Sequence, residues 1–325
     1  MMRELLILRH GKAHPQEDAD DDKTRELKDK GKRNAQRVGV WLAQNGLLPD
    51  HVISSHATRA KRTAEKCCKS AGLDGSMVYK DARVYEATLT NLLDVLRETP
   101  DDRSRVLLVG HNPSLEALLV HLSRAPVPRN EKDGFLVTGA LAHLRFQGGW
   151  KDLRQHCAEL LDVIEPGALP RLFPYPDIHG AEERARPAYY YTQSSVVPFR
   201  RTDAGLEVLI ISSSKRRHWV IPKGIHDPGR TAQDSAAKEA FEEAGVEGRV
   251  LSNLIGTYSY EKWDATCDVE VYPMEVTREL PEGEWVESHR GRKWVSVEEA
   301  ASLVLNDDVK RIITNLPDVL AKEEA

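Results

Sequence analysis

Two histidines in the N-terminal half follow short aliphatic runs: His10 in LILRHGKA, directly after Arg9, and His111 in VGHNPSLEALL. Between them, SSHATRAKRTAEKC contributes Arg59 and Arg62 near a strand-to-helix turn. Cleaving a phosphomonoester or phosphoramidate without a metal needs a nucleophile and several positive groups around the transferring phosphoryl. A neutral, oriented imidazole can be that nucleophile. His10 is the candidate, with Arg9, Arg59 and His111 at hand to surround it. A lone R-H-G is too short to decide anything, and a histidine at a strand end is often only structural. The three segments, in this order, give the reading its weight.

The C-terminal half offers a different chemistry. In GIHDPGRTAQDSAAKEAFEEAGV, which begins at Gly224, Glu239, Glu242 and Glu243 stand at i, i+3 and i+4 and share one helix face. Three like charges there are costly unless a cation sits among them. Hard carboxylate oxygens suit Mg²⁺ or Mn²⁺, which often bridge to substrate phosphates. The other reading is a charged helix face without metal. Lys215, Arg216, Arg217, His218 and Lys223 form a cationic cluster just before this segment. It is either a polyanion-binding surface or a solvated basic turn.

Both sets of residues need elements to position them. Glu4 to Leu8, Val52 to Ser55 and Val106 to Val109 read as short buried strands. Leu27 to Leu42, Thr58 to Ser70 and Leu115 to Leu122 read as helices. Alternation of this kind predicts an α/β domain with a mainly parallel sheet and a ligand site at the carboxyl ends of its strands. EDADDDK, Glu17 to Lys23, reads as a solvated loop. Residues 164 to 187 are rich in proline and charge and read as a linker, with Phe173 and Tyr175 able to dock on a surface. Strand signals resume at YYYTQSSVVPF and LEVLIISS. A helix follows at Asp234 to Ala244, then the strands TYSY and CDVEVYPMEV. KWVSVEEAASLV reads as a strand entering a helix, and Val309 to Leu320 as a last helix.

Composition narrows the class. The chain has 325 residues, 40% of them hydrophobic and 30% charged, which suits two soluble globular domains. A net charge of −5 points to neither nucleic acid nor membrane as a general partner, so anionic substrates must meet locally concentrated positive charge. Cys67, Cys68, Cys157 and Cys267 form no C-x-x-C pair, as expected in a reducing compartment. No apolar run reaches membrane-spanning length and no cleavage-like segment follows the first strand, so the expected location is the cytoplasm.

The R-H-G closing the first strand, the Arg59 segment, the G-H of His111 and TGALAHLRF together resemble the histidine phosphatase superfamily. The resemblance is to its small phosphohistidine-phosphatase branch, the SixA-like proteins, over about residues 1 to 160. It implies that His10 is transiently phosphorylated and that Arg9, Arg59 and His111 bind the phosphoryl oxygens, without a cofactor. Arg62 would face outward on its helix. Glu86 in RVYEATL is the natural counterpart of the acidic proton donor found in many relatives; the other reading is a surface carboxylate.

The Gly224 segment resembles the Nudix box, G-x5-E-x7-R-E-U-x-E-E-x-G-U with U aliphatic, through Gly224, Glu239, Ala240, Glu242, Glu243, Gly245 and Val246. Arg230 replaces the first glutamate and Lys238 the arginine; Asp234, four residues before Lys238, is a possible partner for it. Glu239, Glu242 and Glu243 are then the implied ligands of Mg²⁺ or Mn²⁺, with Glu243 or Glu284 as general base. Lys215, Arg216, Arg217 and Lys223 would bind the substrate. EVLIISSSKRRHWVIPKG and GRKWVSVEEA resemble the diphosphoinositol polyphosphate and diadenosine polyphosphate hydrolases. The resemblance to that branch covers about residues 188 to 320.

The expected organisation is a histidine-phosphatase-like α/β sandwich over residues 1–163, a linker over 164–187, and an α+β Nudix fold with a mixed sheet between helices over 188–325. The expected protein is a bifunctional phosphohydrolase. Its Nudix half would cleave a phosphoanhydride of a nucleoside or inositol polyphosphate with a divalent metal. Its N-terminal half would remove phosphate through a phosphohistidine intermediate. The alternative is a phosphohistidine protein phosphatase in signalling, with a phosphohistidine protein as partner and the Nudix half as a ligand sensor.

Overall fold

Leu5, Leu6, Ile7 and Leu8 have no exposed surface, so the strand that carries them must be covered on both faces. In the computed structural model this strand, β1 (Met2–Arg9), lies inside a six-stranded sheet. Residues 1–130, 134–203 and 205–323 are described, the last without its side chain. The chain divides into two units, Met1–Pro187 and Ala188–Ala325.

In the first unit β1 is followed by α1 (Asp29–Gln44), β2 (His51–Ser55), α2 (Thr58–Ser70), β3 (Val78–Asp81), α3 (Leu89–Arg97), β4 (Arg105–Gly110) and α4 (Ser114–Leu122). Two further strands, β5 (Leu141–Gln147) and β6 (Ala158–Ile164), complete the sheet, whose order is β3-β2-β4-β1-β5-β6. The pairs among β1 to β4 are parallel, as expected, whereas β5 and β6 add an antiparallel edge. The period of two sends Leu5 and Ile7 to one face, against Leu92 and Leu96 of α3 and Leu115 and Leu118 of α4. Leu6 and Leu8 go to the other face, against Val38 and Leu42 of α1 and Ala60 and Ala64 of α2. All four cysteines are free and buried.

Residues 164–187, read from sequence as a linker, fall within the first unit. They carry a two-stranded ribbon, β7 (Phe173–Tyr175) with β8 (Glu182–Arg184). Leu169 and Phe173 are buried, and Gln44 of α1 donates a hydrogen bond to the Ile178 carbonyl at 2.7 Å. The proline and charge that suggested a linker are local signals. They do not register burial of two apolar side chains or bonds formed 134 residues away in sequence.

The second unit is a mixed sheet between helices. It comprises β9 (Thr192–Thr202), β10 (Gly205–Ser212), β11 (Trp219–Val220), β12 (Lys223–Ile225), α5 (Ala232–Glu239), β13 (Val246–Val250), β14 (Gly256–Lys262), β15 (Ala265–Glu279) and β16 (Arg292–Ser296). Three helices close it: α6 (Val297–Leu303), α7 (Asp307–Thr314) and α8 (Leu316–Glu323). Ala232, Ala236, Ala240 and Ala244, spaced by four, let α5 and the turn after it pack on Val196, Leu209 and Ile211. Ile312, Ile313, Leu316 and Leu320 cover Val197, Phe199, Val208 and Ile210 on the opposite face. The single last helix expected over Val309 to Leu320 is two. It breaks at Asn315, and Pro317 occupies the first turn of α8, where a missing N–H costs nothing. No helix among the described residues is long and apolar enough to cross a membrane.

Gly39 in α1 offers a test of sign. A Cβ there would lie inside contact distance of the Cys67 carbonyl oxygen in α2. In an open helix Gly→Ala gains about 1 kcal/mol, but overpacking costs about 1–3 kcal/mol. Gly39→Ala is therefore expected to lower the melting temperature of the first unit, read by calorimetry on the whole chain. A rise would contradict this packing.

Candidate functional sites

The parallel register places Arg9 of β1 opposite Gly110 of β4, and the His10 N–H continues the ladder to the Gly110 carbonyl at 3.0 Å. His10 and His111 thus leave adjacent strand ends, with ring centroids 4.9 Å apart. His10 Nδ1 is 2.8 Å from the Gly11 carbonyl. A carbonyl only accepts, so Nδ1 carries the proton and Nε2 keeps its lone pair. Burial, outweighing the Gly11 bond, pushes the His10 pKa down to about 4, and Arg59, Arg9 and Arg25 push the same way. His111 is lowered to about 3, again mainly by burial. Both rings are neutral at pH 7, which a nitrogen nucleophile requires.

His111 Nε2 lies 2.9 Å from Ser55 Oγ, which also accepts from the Ala57 N–H at 3.2 Å. The other ring nitrogen of His111 is Nδ1. That atom is buried and has no partner among the described residues. Arg9 Nε and Arg59 Nε share this condition, although Arg9 Nη1 is tied to the Leu136 carbonyl at 2.6 Å. Buried donors without acceptors are costly in a resting protein and mark a place for a ligand. Gly11 N–H donates to Thr63 Oγ1 at 2.9 Å, and Thr63 Oγ1 donates to the Arg59 carbonyl at 2.6 Å, which fixes the first turn of α2 against the His10 loop.

The structure brings His10, Arg9, Arg59 and His111 together. Arg62 points outward to Glu65 at 3.1 Å. Glu86 is exposed and has a left-handed backbone, φ 49°, unusual for a residue with a side chain. No hydrogen bond ties its carboxylate to the histidine pair among the described residues. Three participants were not singled out in sequence. Arg25 adds its charge near His10. Tyr85 sets its ring edge-on to His111 at 5.6 Å. Asp22, from the stretch read as a solvated loop, accepts from Arg59, Arg25 and Tyr85. Only folding reveals this, since Asp22 and Tyr85 are 63 residues apart.

In the second unit Thr231 caps α5, its hydroxyl accepting from the Asp234 N–H at 3.0 Å. The helix continues through a wider turn, Ala240–Ala244, and stops at Gly245 with φ 65°. The three glutamates expected on one face are divided between two cations. Lys238 Nζ lies 3.6 Å from Glu239, 3.3 Å from Glu242 and 3.6 Å from Asp227. Arg290 holds Glu243 at 2.7 Å. Asp227, rather than the exposed Asp234, thus meets Lys238. The turn between Gly224 and α5 folds back to present it, and its N–H is held by Ser235 Oγ at 3.1 Å.

Glu243 also accepts from the Lys223 N–H at 3.1 Å, and the Glu243 carbonyl accepts from the Trp285 indole at 3.2 Å. Burial, prevailing over Arg290, raises the Glu243 pKa to about 7. Burial also raises Glu239, whose carboxylate packs directly on the Cα of Gly224. These desolvated oxygen donors suit a hard divalent cation. Among the described residues, however, no three His, Cys, Asp or Glu side chains are arranged to hold one.

Lys223 is half-buried, and its Nζ donates to the Tyr260 hydroxyl at 3.2 Å, which donates to Gln193 Oε1 at 2.7 Å. Lys215, Arg216 and Arg217 are exposed on the turn before β11, and Arg216 Nε donates to the His289 carbonyl at 2.7 Å. Glu284 is exposed in the turn ahead of Trp285.

Two family models match the chain: the histidine phosphatase superfamily, branch 1, over residues 5–90, and the NUDIX domain over residues 191–316. An uncharacterized protein of Mycobacterium tuberculosis is 33% identical over 165 residues, covering 49% of this chain and 99% of that protein. Diphosphoinositol polyphosphate phosphohydrolase 2 of Rattus norvegicus is 36% identical over 106 residues, 32% of this chain and 58% of that protein. A solved structure of the protein histidine phosphatase SixA with tungstate is 20% identical over 50% of this chain and 97% of that one, with a TM-score of 0.43.

The lowered histidine pKa values give a direct measurement. In an NMR titration, the ring protons of His10 and His111 should stay in the neutral form as pH falls through 6.5. An ordinary imidazole would protonate there; His10 should do so only near pH 4. A midpoint near 6.5 for His10 would contradict the burial described.

Proposed function

We propose that this chain, which belongs to the histidine phosphatase superfamily through residues 5–90 and to the Nudix family through residues 191–316, works as a two-site phosphohydrolase with unlike demands at each site. In the first site His10 Nε2 attacks the phosphoryl group. The bond to the leaving group breaks as that group takes a proton, and phosphohistidine forms at His10. Arg9, Arg59 and His111, with Arg25, hold the phosphoryl oxygens. Water then attacks phosphorus, releasing inorganic phosphate and restoring His10. A phosphoramidate such as protein phosphohistidine, or a phosphomonoester, fits this scheme. Glu86 is the candidate proton donor; a phosphohistidine substrate makes least demand on it. The observation that carries this reading is the set of three buried, unpartnered nitrogens beside the neutral His10: Arg9 Nε, Arg59 Nε and His111 Nδ1.

In the second site the reaction is water attack on a phosphoanhydride of a nucleoside or inositol polyphosphate. Glu239, Glu242 and Glu243 are the side chains that would hold a divalent ion, once Lys238 and Arg290 yield them. Such an ion polarises phosphoryl oxygens and lowers the pKa of a bound water. Lys223 and the Lys215 to Arg217 turn supply positive charge for the polyphosphate. Glu243, whose pKa is raised to about 7, has the proton affinity of a general base. The diphosphoinositol polyphosphate phosphohydrolase relative supports this substrate class. The engagement of all three glutamates by side-chain cations favours one other reading, a ligand sensor without turnover.

Four experiments test these assignments. A chelator should stop anhydride cleavage and spare phosphate release from phosphohistidine or a monoester; equal loss of both would refute the division. His10→Ala should reduce phosphatase turnover by at least ~10³-fold and leave the Nudix reaction intact, because it removes the nucleophile. Glu242→Gln should do the converse. If residues 188–325 bind polyphosphates but form no product with Mg²⁺ or Mn²⁺, the sensor reading replaces the enzyme.

A further inference from the structure

Arg59 has five N–H donors in a planar fork, and only part of that fork is free. Its Nη1 donates to the Asp22 carbonyl at 2.6 Å and its Nη2 to Asp22 Oδ2 at 2.8 Å. One residue therefore clamps the outer end of the guanidinium with both its main chain and its side chain. What remains open is the side edge, where Nε is buried without a partner. A planar fork held at its end can present only that edge, so Asp22 sets the direction in which Arg59 donates.

Asp22 is itself fixed. Its Oδ2 also accepts from the Tyr85 hydroxyl at 2.8 Å, and its Oδ1 from Arg25 Nη1 at 2.8 Å. Tyr85 in turn packs edge-on against His111. The loop that delivers Asp22 is pinned at its base: Ala13 bridges Leu27, the His14 N–H donates to the Glu26 carbonyl at 2.9 Å, and Arg25 Nε donates to the His14 carbonyl at 2.8 Å. Because residues 13 and 27 are adjacent, the loop between them returns on itself. Within it Asp22 is half-buried against Arg59 of α2, while Glu17, Asp18, Asp20 and Asp21 are exposed. Arg59, Arg25 and Tyr85 together depress the Asp22 pKa despite the opposing effect of burial, so the clamp is an anion throughout the working range.

We propose that Asp22 is a positioning residue of the phosphatase site, aligning Arg59 and Arg25 so that their free donors converge beside His10. The opposite role would be a plug: an internal carboxylate occupying the phosphate's place. The geometry favours the clamp, because Asp22 takes the Nη1 and Nη2 end of the Arg59 fork and the buried Nε has no partner among the described residues. A clamp raises the affinity for an oxyanion, whereas a plug lowers it. This inference rests on the phosphatase reading of the same site.

The test uses the full-length chain, with inorganic phosphate as a competitive inhibitor of phosphatase turnover. Asp22→Ala should weaken phosphate inhibition and raise KM by about tenfold each, with kcat changed less. Tyr85→Phe should move the same constants in the same direction by a smaller factor. Asp20→Ala, two residues away and exposed, should move neither. In an Arg59→Ala background, Asp22→Ala should add much less than it does alone, because its main partner is gone; a merely structural loss would add in full. Melting temperature and Nudix turnover on each variant report folding independently. Tighter phosphate binding in Asp22→Ala would establish the plug, and unchanged binding or full additivity with Arg59→Ala would also overturn the clamp. A wild-type chain that neither turns over phosphohistidine nor binds phosphate would overturn the site reading itself, which is a distinguishable failure.

Discussion

The parallel pairing of β1 with β4 is the constraint from which the first unit follows. With Arg9 opposite Gly110, the next residue on each strand is a histidine, and the two rings meet at 4.9 Å. A slip of one residue would turn Leu5 and Ile7 toward α1 and α2 and part the rings at the same time. The buried faces of β1 therefore enforce the register, and the register builds the site. Placing the pair at the carboxyl ends of buried strands has a second effect. The same desolvation that hides the aliphatic side chains keeps both imidazoles neutral, while the arginines around them stay charged. Two neutral imidazoles inside a positive rim make a place into which an anionic phosphoryl group would fit.

In the second unit the governing problem is repulsion among carboxylates. Glu239, Glu242 and Glu243 lie within one and a half helical turns, and two of them are pressed into the protein. Lys238 and Arg290 relieve that repulsion from the side-chain inventory itself. Asp227 takes up the structural partnership that Arg230 cannot offer to a lysine. The departures from the usual motif thus come as a set: where one carboxylate is lost, a turn residue three positions earlier supplies another.

Much of this was legible before folding. An R-H-G at the end of an aliphatic run, a second histidine at another strand end, and glutamates at i, i+3 and i+4 are local patterns, and each names its own element. What stayed hidden was made by distant contacts. Asp22 sits in a run of acids that resembles any solvated loop, and nothing near it in sequence indicates Arg59 or Tyr85. Arg290 sits 47 positions beyond Glu243 and gives no local sign of its partner. The segment before residue 187 was misleading for the same reason, since proline and charge describe its backbone preference and not the burial of Leu169 and Phe173. Single-residue chemistry is written locally, whereas the groups that aim it are recruited through the fold.

Trp285 turns one of these recruitments into an observable property. Its indole N–H is bonded to the Glu243 carbonyl, and its ring lies so close to Gly245 that a Cβ there would come within 2.8 Å of it. The Arg292 guanidinium sits over the same ring at 4.4 Å. An indole wedged between a guanidinium and the end of the glutamate-bearing turn has an emission set by that turn's dipoles and charges. The carboxylate cluster therefore carries an intrinsic fluorophore wired to its backbone, and rearrangement of the turn should register as a change in colour or intensity of its light.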